Sequence, residues 1–225
     1  MHSLAGIFAL AAVPAAPLPV PVEQAPFHRL VLATEDYALI ENHMPPGADS
    51  GFHAHHRDLF YVTISAARAA TQRPGQPLRL VPPSFAAGTV GMNPPSDEPF
   101  VHRVVNPDSR PFHVLGVEPR RPAPSGQPIT ERAASSGFVQ VHDHPRLRAW
   151  RLVLEPGQSA PNLRQAGPGL RIVVRGGDLT VARPGRPAQT IRIEAGDFEQ
   201  LASGESRALH NRGPTAIEIV DIEMK

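Results

Sequence analysis

The chain has 225 residues, 41% of them hydrophobic but only 5% aromatic, so its core must be aliphatic. Its 22 basic and 21 acidic residues leave a formal charge of +1 with no polybasic tract, which gives no electrostatic support to a nucleic-acid or membrane-surface partner. The absence of cysteine excludes disulfides, thiolate nucleophiles and cysteine-held metals, and 27 prolines with 18 glycines favour short strands over long helices.

At the N-terminus, Leu4–Val13 is an apolar run of signal-peptide length, too short to span a bilayer. Val13-Pro14-Ala15 offers a cleavage site, and a proline-rich spacer runs on to Pro26. The preceding MHS has no Lys or Arg, which argues against export. Two locations stay open: periplasmic or secreted if residues 1–26 are a signal peptide and spacer, cytoplasmic otherwise. From Phe27 onward, short alternating segments read as strands: Phe27–Ala33, Tyr37–Met44, Leu59–Ser65, Leu78–Val81, Thr89–Met92, Phe100–Val105 and Phe112–Glu118. Turn signals such as Pro45-Pro46-Gly47, Pro74-Gly75 and Asn106-Pro107 separate them. A polar, proline-rich stretch follows, with room for one short helix around Ile129–Ala134. Strands resume at Phe138–His142, Arg148–Leu154, Leu170–Val174, Leu179–Ala182, Thr190–Ile193, Phe198–Leu201 and Ala216–Ile222. His142-Asp143-His144, followed by Pro145, reads as a turn.

The two halves repeat each other. Pro46-Gly47 answers to Pro156-Gly157, and Ala87-Gly88 to Ala195-Gly196. Asn106 followed by Phe112, Val114, Val117 and Glu118 answers to Asn211 followed by Ile217, Ile219, Ile222 and Glu223. Three matches in one order predict a duplicated β unit, each copy covering apolar surface that it could not bury alone.

The chemistry concentrates in histidines. Gly47 is followed after five residues by His53-Ala54-His55, and two residues at i and i+2 on a strand share a face. His102 lies in the strand before Asn106. Three neutral imidazoles leave coordination positions free for water, substrate or O2.

These residues resemble the cupin superfamily, whose first motif is G-x5-H-x-H-x(3,4)-E-x6-G and whose second ends H-x3-N. Gly47, His53 and His55 fit the start of the first, and His102 with Asn106 the end of the second. The resemblance implies an all-β chain of two cupin-type jelly-roll β-barrels in tandem: residues 27–122 with a metal site, a linker over 123–136, and a degenerate second half over 137–225. It implies one divalent transition metal ion (Fe, Mn, Ni or Zn) and a small-molecule substrate, and homodimers through free sheet edges are common in such proteins. The motif's glutamate position holds Leu59 or Phe60, with Asp58 one residue early. Either a bulge turns Asp58 onto the metal, or the centre is three histidines alone. In the second half the histidine positions hold Leu163, Gln165 and Arg207. Leu59, Phe100 and Val104 are expected to line a small organic pocket, and Tyr61 and Arg57, in phase with the ligands, to orient a polar substrate. The resemblance favours a dioxygenase-like metal enzyme. A non-catalytic small-molecule binding or sensing protein is the alternative, and a closed or empty metal position would favour it.

Overall fold

Strands with one apolar face must pair and then stack to bury that face. The computed structural model describes residues 18–65, 67–81, 86–93, 98–122 and 126–225, and the N-terminal apolar run with its cleavage site lies outside those residues. The first half holds β1 (Val20–Pro21), β2 (His28–Ala33), β3 (Tyr37–Met44), β4 (His53–His55), β5 (Phe60–Thr63), β6 (Ala70–Gln72), β7 (Arg79–Leu80), β8 (Val90–Met92), β9 (Phe100–Val105) and β10 (Phe112–Pro119). The second holds β11 (Val139–His144), β12 (Leu147–Leu154), β13 (Ser159–Arg164), β14 (Gly169–Arg175), β15 (Gly177–Ala182), β16 (Gln189–Ile193), β17 (Phe198–Leu201), β18 (Ser206–Asn211) and β19 (Ile217–Met224). Two 3-10 turns, Val22–Gln24 and Ala134–Ser136, are the helical pieces among the described residues. No described helix is long and apolar enough to cross a membrane.

One sheet of the first half runs β2-β3-β10-β5-β8, and the other β4-β9-β6-β7 with β1 added in parallel on β4. The second half repeats this strand for strand as β11-β12-β19-β14-β17 and β13-β18-β15-β16. Each half is a jelly roll of two layers. Its hinge chemistry also repeats. Gly47 and Gly157 both adopt φ +77°, a left-handed conformation that favours glycine. Their amides donate to the carbonyls of Asn106 (2.8 Å) and Asn211 (3.0 Å). The Asn106 side chain donates to Met44 O (3.0 Å) and Arg110 O (2.9 Å), and that of Asn211 to Leu154 O and Thr215 O (both 2.8 Å). The motif asparagine is thus a buried clamp that ties two loop carbonyls together.

The two halves share a core. Leu39, Phe60, Leu115 and Val117 from one large sheet pack with Leu147, Leu170, Ile172 and Ile222 from the other, and all are essentially inaccessible. Fully burying each such side chain contributes about 1.5–3 kcal/mol. The Tyr37 hydroxyl donates to Gly169 O across the junction at 3.0 Å. This face fixes the large sheet of the first half, and so the strands that carry its interior.

Two local expectations are corrected. The short helix expected around Ile129–Ala134 is a single 3-10 turn displaced to Ala134–Ser136, because the residues before it commit their polar groups to the second half: Thr130 donates to Glu223, and Arg132 pairs with Asp221. His142-Asp143-His144 is the end of β11 and not a turn; the chain reverses after it, where Arg148 and Lys225 pair with Asp143.

Candidate metal centre

Alternation and register assemble the site. His53 and His55 point the same way from β4, and His53 sits directly opposite His102 on β9. One nitrogen from each of the three rings lies within 4.8 Å of the others, and the Nε2 atoms of His55 and His102 are 3.1 Å apart. Their Nδ1 atoms face outward to acceptors. His53 Nδ1 meets Gly51 O at 3.1 Å, and His102 Nδ1 meets the Thr71 hydroxyl at 3.4 Å, which itself donates to Arg103 O. His55 Nδ1 lies 3.7 Å from Glu118 Oε1, beyond hydrogen-bond range, and neither atom has a hydrogen-bond partner among the described residues. The acceptors on His53 and His102 favour the tautomer that leaves Nε2 unprotonated.

His53 Nε2 is buried without a hydrogen-bond partner, as is Glu118 Oε1. Burial lowers the pKa of His53 to about 3 and of His102 to about 2, with neighbouring histidines adding to the effect. These two rings are therefore neutral at pH 7, the state that a metal requires. An orphaned inward lone pair, neutral imidazoles and oriented outer nitrogens all fit a divalent transition ion.

The other expected residues scatter. Asp58 is directed to Arg146 of the second half, with a 3.1 Å ion pair, and is not among the clustered groups. Tyr61 lines a chamber of about 250 Å3 beside the histidines, together with Leu59, Phe100 and Val104. Arg57 does not reach that chamber; it is exposed in an adjoining recess of about 490 Å3.

Three residues carried no sequence motif. Glu118 alternates along β10 in phase with Phe112, Val114 and Gly116, which line the chamber, while Leu115 and Val117 face the shared core. A lone glutamate closing an apolar strand, repeated at Glu223, was the available signal. Asn42 lines the chamber from β3 next to Ile40. His28 also lines it, its ring centroid 4.5 Å from that of His53, and burial lowers its pKa to about 4 despite a Pro26 O contact.

The second half fills the same space with its own side chains. Leu163 faces Arg207 across β13 and β18, as His53 faces His102. The row Ile40–Gly116–Tyr61, which lines the first chamber, is replaced by Trp150–Asp221–Arg171. Arg171 grips Asp221 through two hydrogen bonds of 2.8 and 2.9 Å. Arg132 stacks between Phe138 and Trp150, 4.2 Å from each ring centroid, and reaches Asp221 at 3.0 Å. Arg207 pairs with Glu199 and Glu205. A cavity of about 10 Å3 remains.

No protein-family model matches the chain, and no curated protein sequence matches it. Solved structures do. AerE from Microcystis aeruginosa superposes with a TM-score of 0.65 at 15% identity, covering 93% of this chain and 98% of that one. Ylba from E. coli gives 0.62 at 10% identity, with 94% and 88% covered. A salicylate 1,2-dioxygenase from Pseudaminobacter salicylatoxidans gives 0.57 at 14% identity, with 84% and 71% covered. At these identities the likeness is one of fold.

Proposed function

On the premise that the chain has the cupin fold, in two tandem halves, we propose that it is a mononuclear metal-dependent enzyme acting on a small organic molecule, with dioxygenase-like chemistry favoured. The observation that carries this reading is a cluster of three histidines, His53 and His55 buried and His102 half-buried, of which His55 and His102 line an apolar chamber. His53, His55 and His102 would hold the ion, which supplies Lewis acidity and open coordination positions. Gly51 O and Thr71 would hold His53 and His102 in the ligating tautomer, and Glu118 lies behind His55. Leu59, Phe100 and Val104 exclude water, and Tyr61 offers a polar surface within the chamber. The salicylate dioxygenase among the structural neighbours supports oxygenation as the reaction class, and Fe, Mn, Ni and Zn all suit a nitrogen donor set. The second half, with its positions filled, is assigned a structural role.

Metal analysis of the purified protein tests the reading, beside a His53→Ala/His55→Ala variant. About one ion per chain, absent from the variant, is expected; anaerobic loading with iron followed by O2-uptake measurements then separates oxygenation from Lewis-acid chemistry. Failure to take up stoichiometric Fe, Mn, Ni or Zn would refute the proposal.

A further inference from the structure

The chamber's walls say what kind of molecule it can hold. Among the described residues, its lining includes no Lys, Arg, Asp or Glu. The segments outside the described residues contain no Lys or Arg in their sequence. Arg73 is exposed and lies over the Phe100 ring, 4.6 Å from its centroid, and does not line the chamber. The adjoining recess, which shares His55, Asn93 and Phe100 with the chamber, holds Arg57, Arg120 and Arg146 against Asp58 and Glu98. Of these, Arg146 is committed to Asp58, and Arg120 donates to Thr34 O at 3.0 Å.

A carboxylate buried in such a chamber has no counter-charge on the protein, and an unpaired buried ion costs several kcal/mol. An ion held by the triad would put its positive charge at the histidine end of the chamber alone. Polar recognition is nevertheless built in. Asn42 Oδ1 and Asn93 Nδ2 belong to residues lining the chamber, and both atoms are buried without a hydrogen-bond partner among the described residues. They provide an acceptor and a donor that a ligand can satisfy.

We propose that the chamber selects an uncharged, largely apolar molecule that both donates and accepts a hydrogen bond, and that carries no acidic or basic group away from the histidines. This rests on the reading of the chamber as the substrate site. It narrows the substrate class to neutral oxygen-bearing compounds such as phenols, amides and hydroxyketones. The volume, about 250 Å3, falls just below the ~300 Å3 lower end of drug-sized pockets, so the molecule is small.

The test is calorimetric binding to metal-free and zinc-loaded protein, using shape-matched pairs: benzamide against benzoate, and 4-hydroxybenzamide against 4-hydroxybenzoate. The amides are expected to bind the metal-free form at least about thirtyfold more tightly, and the margin to narrow in the zinc form, where a single carboxylate can reach the ion. Asn42→Leu and Asn93→Leu should each weaken amide binding by about two- to tenfold, with folding checked by circular dichroism. Carboxylates binding the metal-free protein within fivefold of the amides, or more tightly, overturn the proposal. So does carboxylate binding that disappears in Arg57→Gln/Arg120→Gln, since the recess would then supply the counter-charge, and so does failure of every uncharged probe to bind. Because the preference is read on metal-free protein, a chain that takes up no metal but keeps the preference refutes the metal-enzyme reading alone; one that loads metal but prefers carboxylates in its metal-free form refutes the substrate class alone.

Discussion

Arg132 offers a sharp test of how the second half closes its interior. Its side chain is 1% exposed, sits between Phe138 and Trp150, and shares Asp221 with Arg171. Burial alone would raise the Asp221 pKa, but Arg171 and then Arg132 outweigh it and hold the carboxyl below the usual range. In Arg132→Ala the carboxylate keeps its bidentate partner, so the full 3–5 kcal/mol typical of orphaning a buried charge does not apply. Two desolvated cation–π contacts are lost, worth about 2 kcal/mol or more together, and a cavity opens between the rings. The sum is a loss of about 3–4 kcal/mol. Arg132→Met refills most of the volume and leaves Arg171 and Asp221 balanced, so its cost is about 1–2 kcal/mol. Trp150 is the chain's sole tryptophan and touches the substituted side chain, so urea unfolding followed by its fluorescence reports the transition directly. Millimolar methylguanidine should recover part of the alanine variant's loss by entering the vacated slot. A loss below about 1 kcal/mol for Arg132→Ala would refute the argument that this residue seals the second interior.

Other expectations follow from the first half. Glu118→Gln keeps the shape beside His55 but removes the charge, so metal affinity should fall about 10- to 100-fold with stoichiometry unchanged, as read by chelator competition. The metal-free protein should lose stability as pH falls from about 6.5 toward 4. His28, His53 and His102 have folded pKa values of about 4, 3 and 2, below the ordinary 6.5, so in that window the unfolded chain binds protons that the native state refuses. The slope is about 1.4 kcal/mol per pH unit for each histidine. Urea midpoints that stay level between pH 7 and 5 would contradict it. Asn211→Ala removes a clamp with two carbonyl acceptors and one amide donor, Gly213 N at 2.9 Å, and should cost about 2–4 kcal/mol in the same unfolding assay.

Much of this architecture was legible in the sequence, and the reasons are local. Tyr37–Met44, Phe100–Val105 and Phe198–Leu201 have the bounds that alternation predicts, because each alternates between a packed face and an opposite one. Strands β6, β13 and β18 escaped notice. Ala70–Gln72 is too short to show a period, while Ser159–Arg164 and Ser206–Asn211 are largely polar and owe their extended form to pairing with neighbours. The histidines were legible because their spacing is local on β4. Glu118, Asn42 and His28 were not, since each reaches the site from a distant strand and its inward phase is visible only once the buried face is known. The ion pair of Asp58 was hidden for a similar reason: its partner, Arg146, belongs to the other half.

The asymmetry between the halves has a physical basis in one row of side chains. Across three neighbouring strands, Ile40, Gly116 and Tyr61 leave space in the first half; Trp150, Asp221 and Arg171 occupy it in the second. Gly116 matters most in that row. A Cβ there would come within 2.7 Å of Leu59 Cδ1, so any side chain would force Leu59, which lines the chamber, to move. In the second half the same position is an aspartate, and a buried carboxylate demands cations, which Arg171 and the inter-half segment's Arg132 provide. A single exchange of glycine for aspartate thus makes two arginines necessary, and their volume removes the chamber. The first half keeps its cavity by remaining uncharged along this row, which is also why its ligand must be uncharged away from the histidines. Gly116→Asp in the first half should therefore abolish amide binding with the histidine triad intact. Retained binding in that variant would show that the row does not decide which half is open.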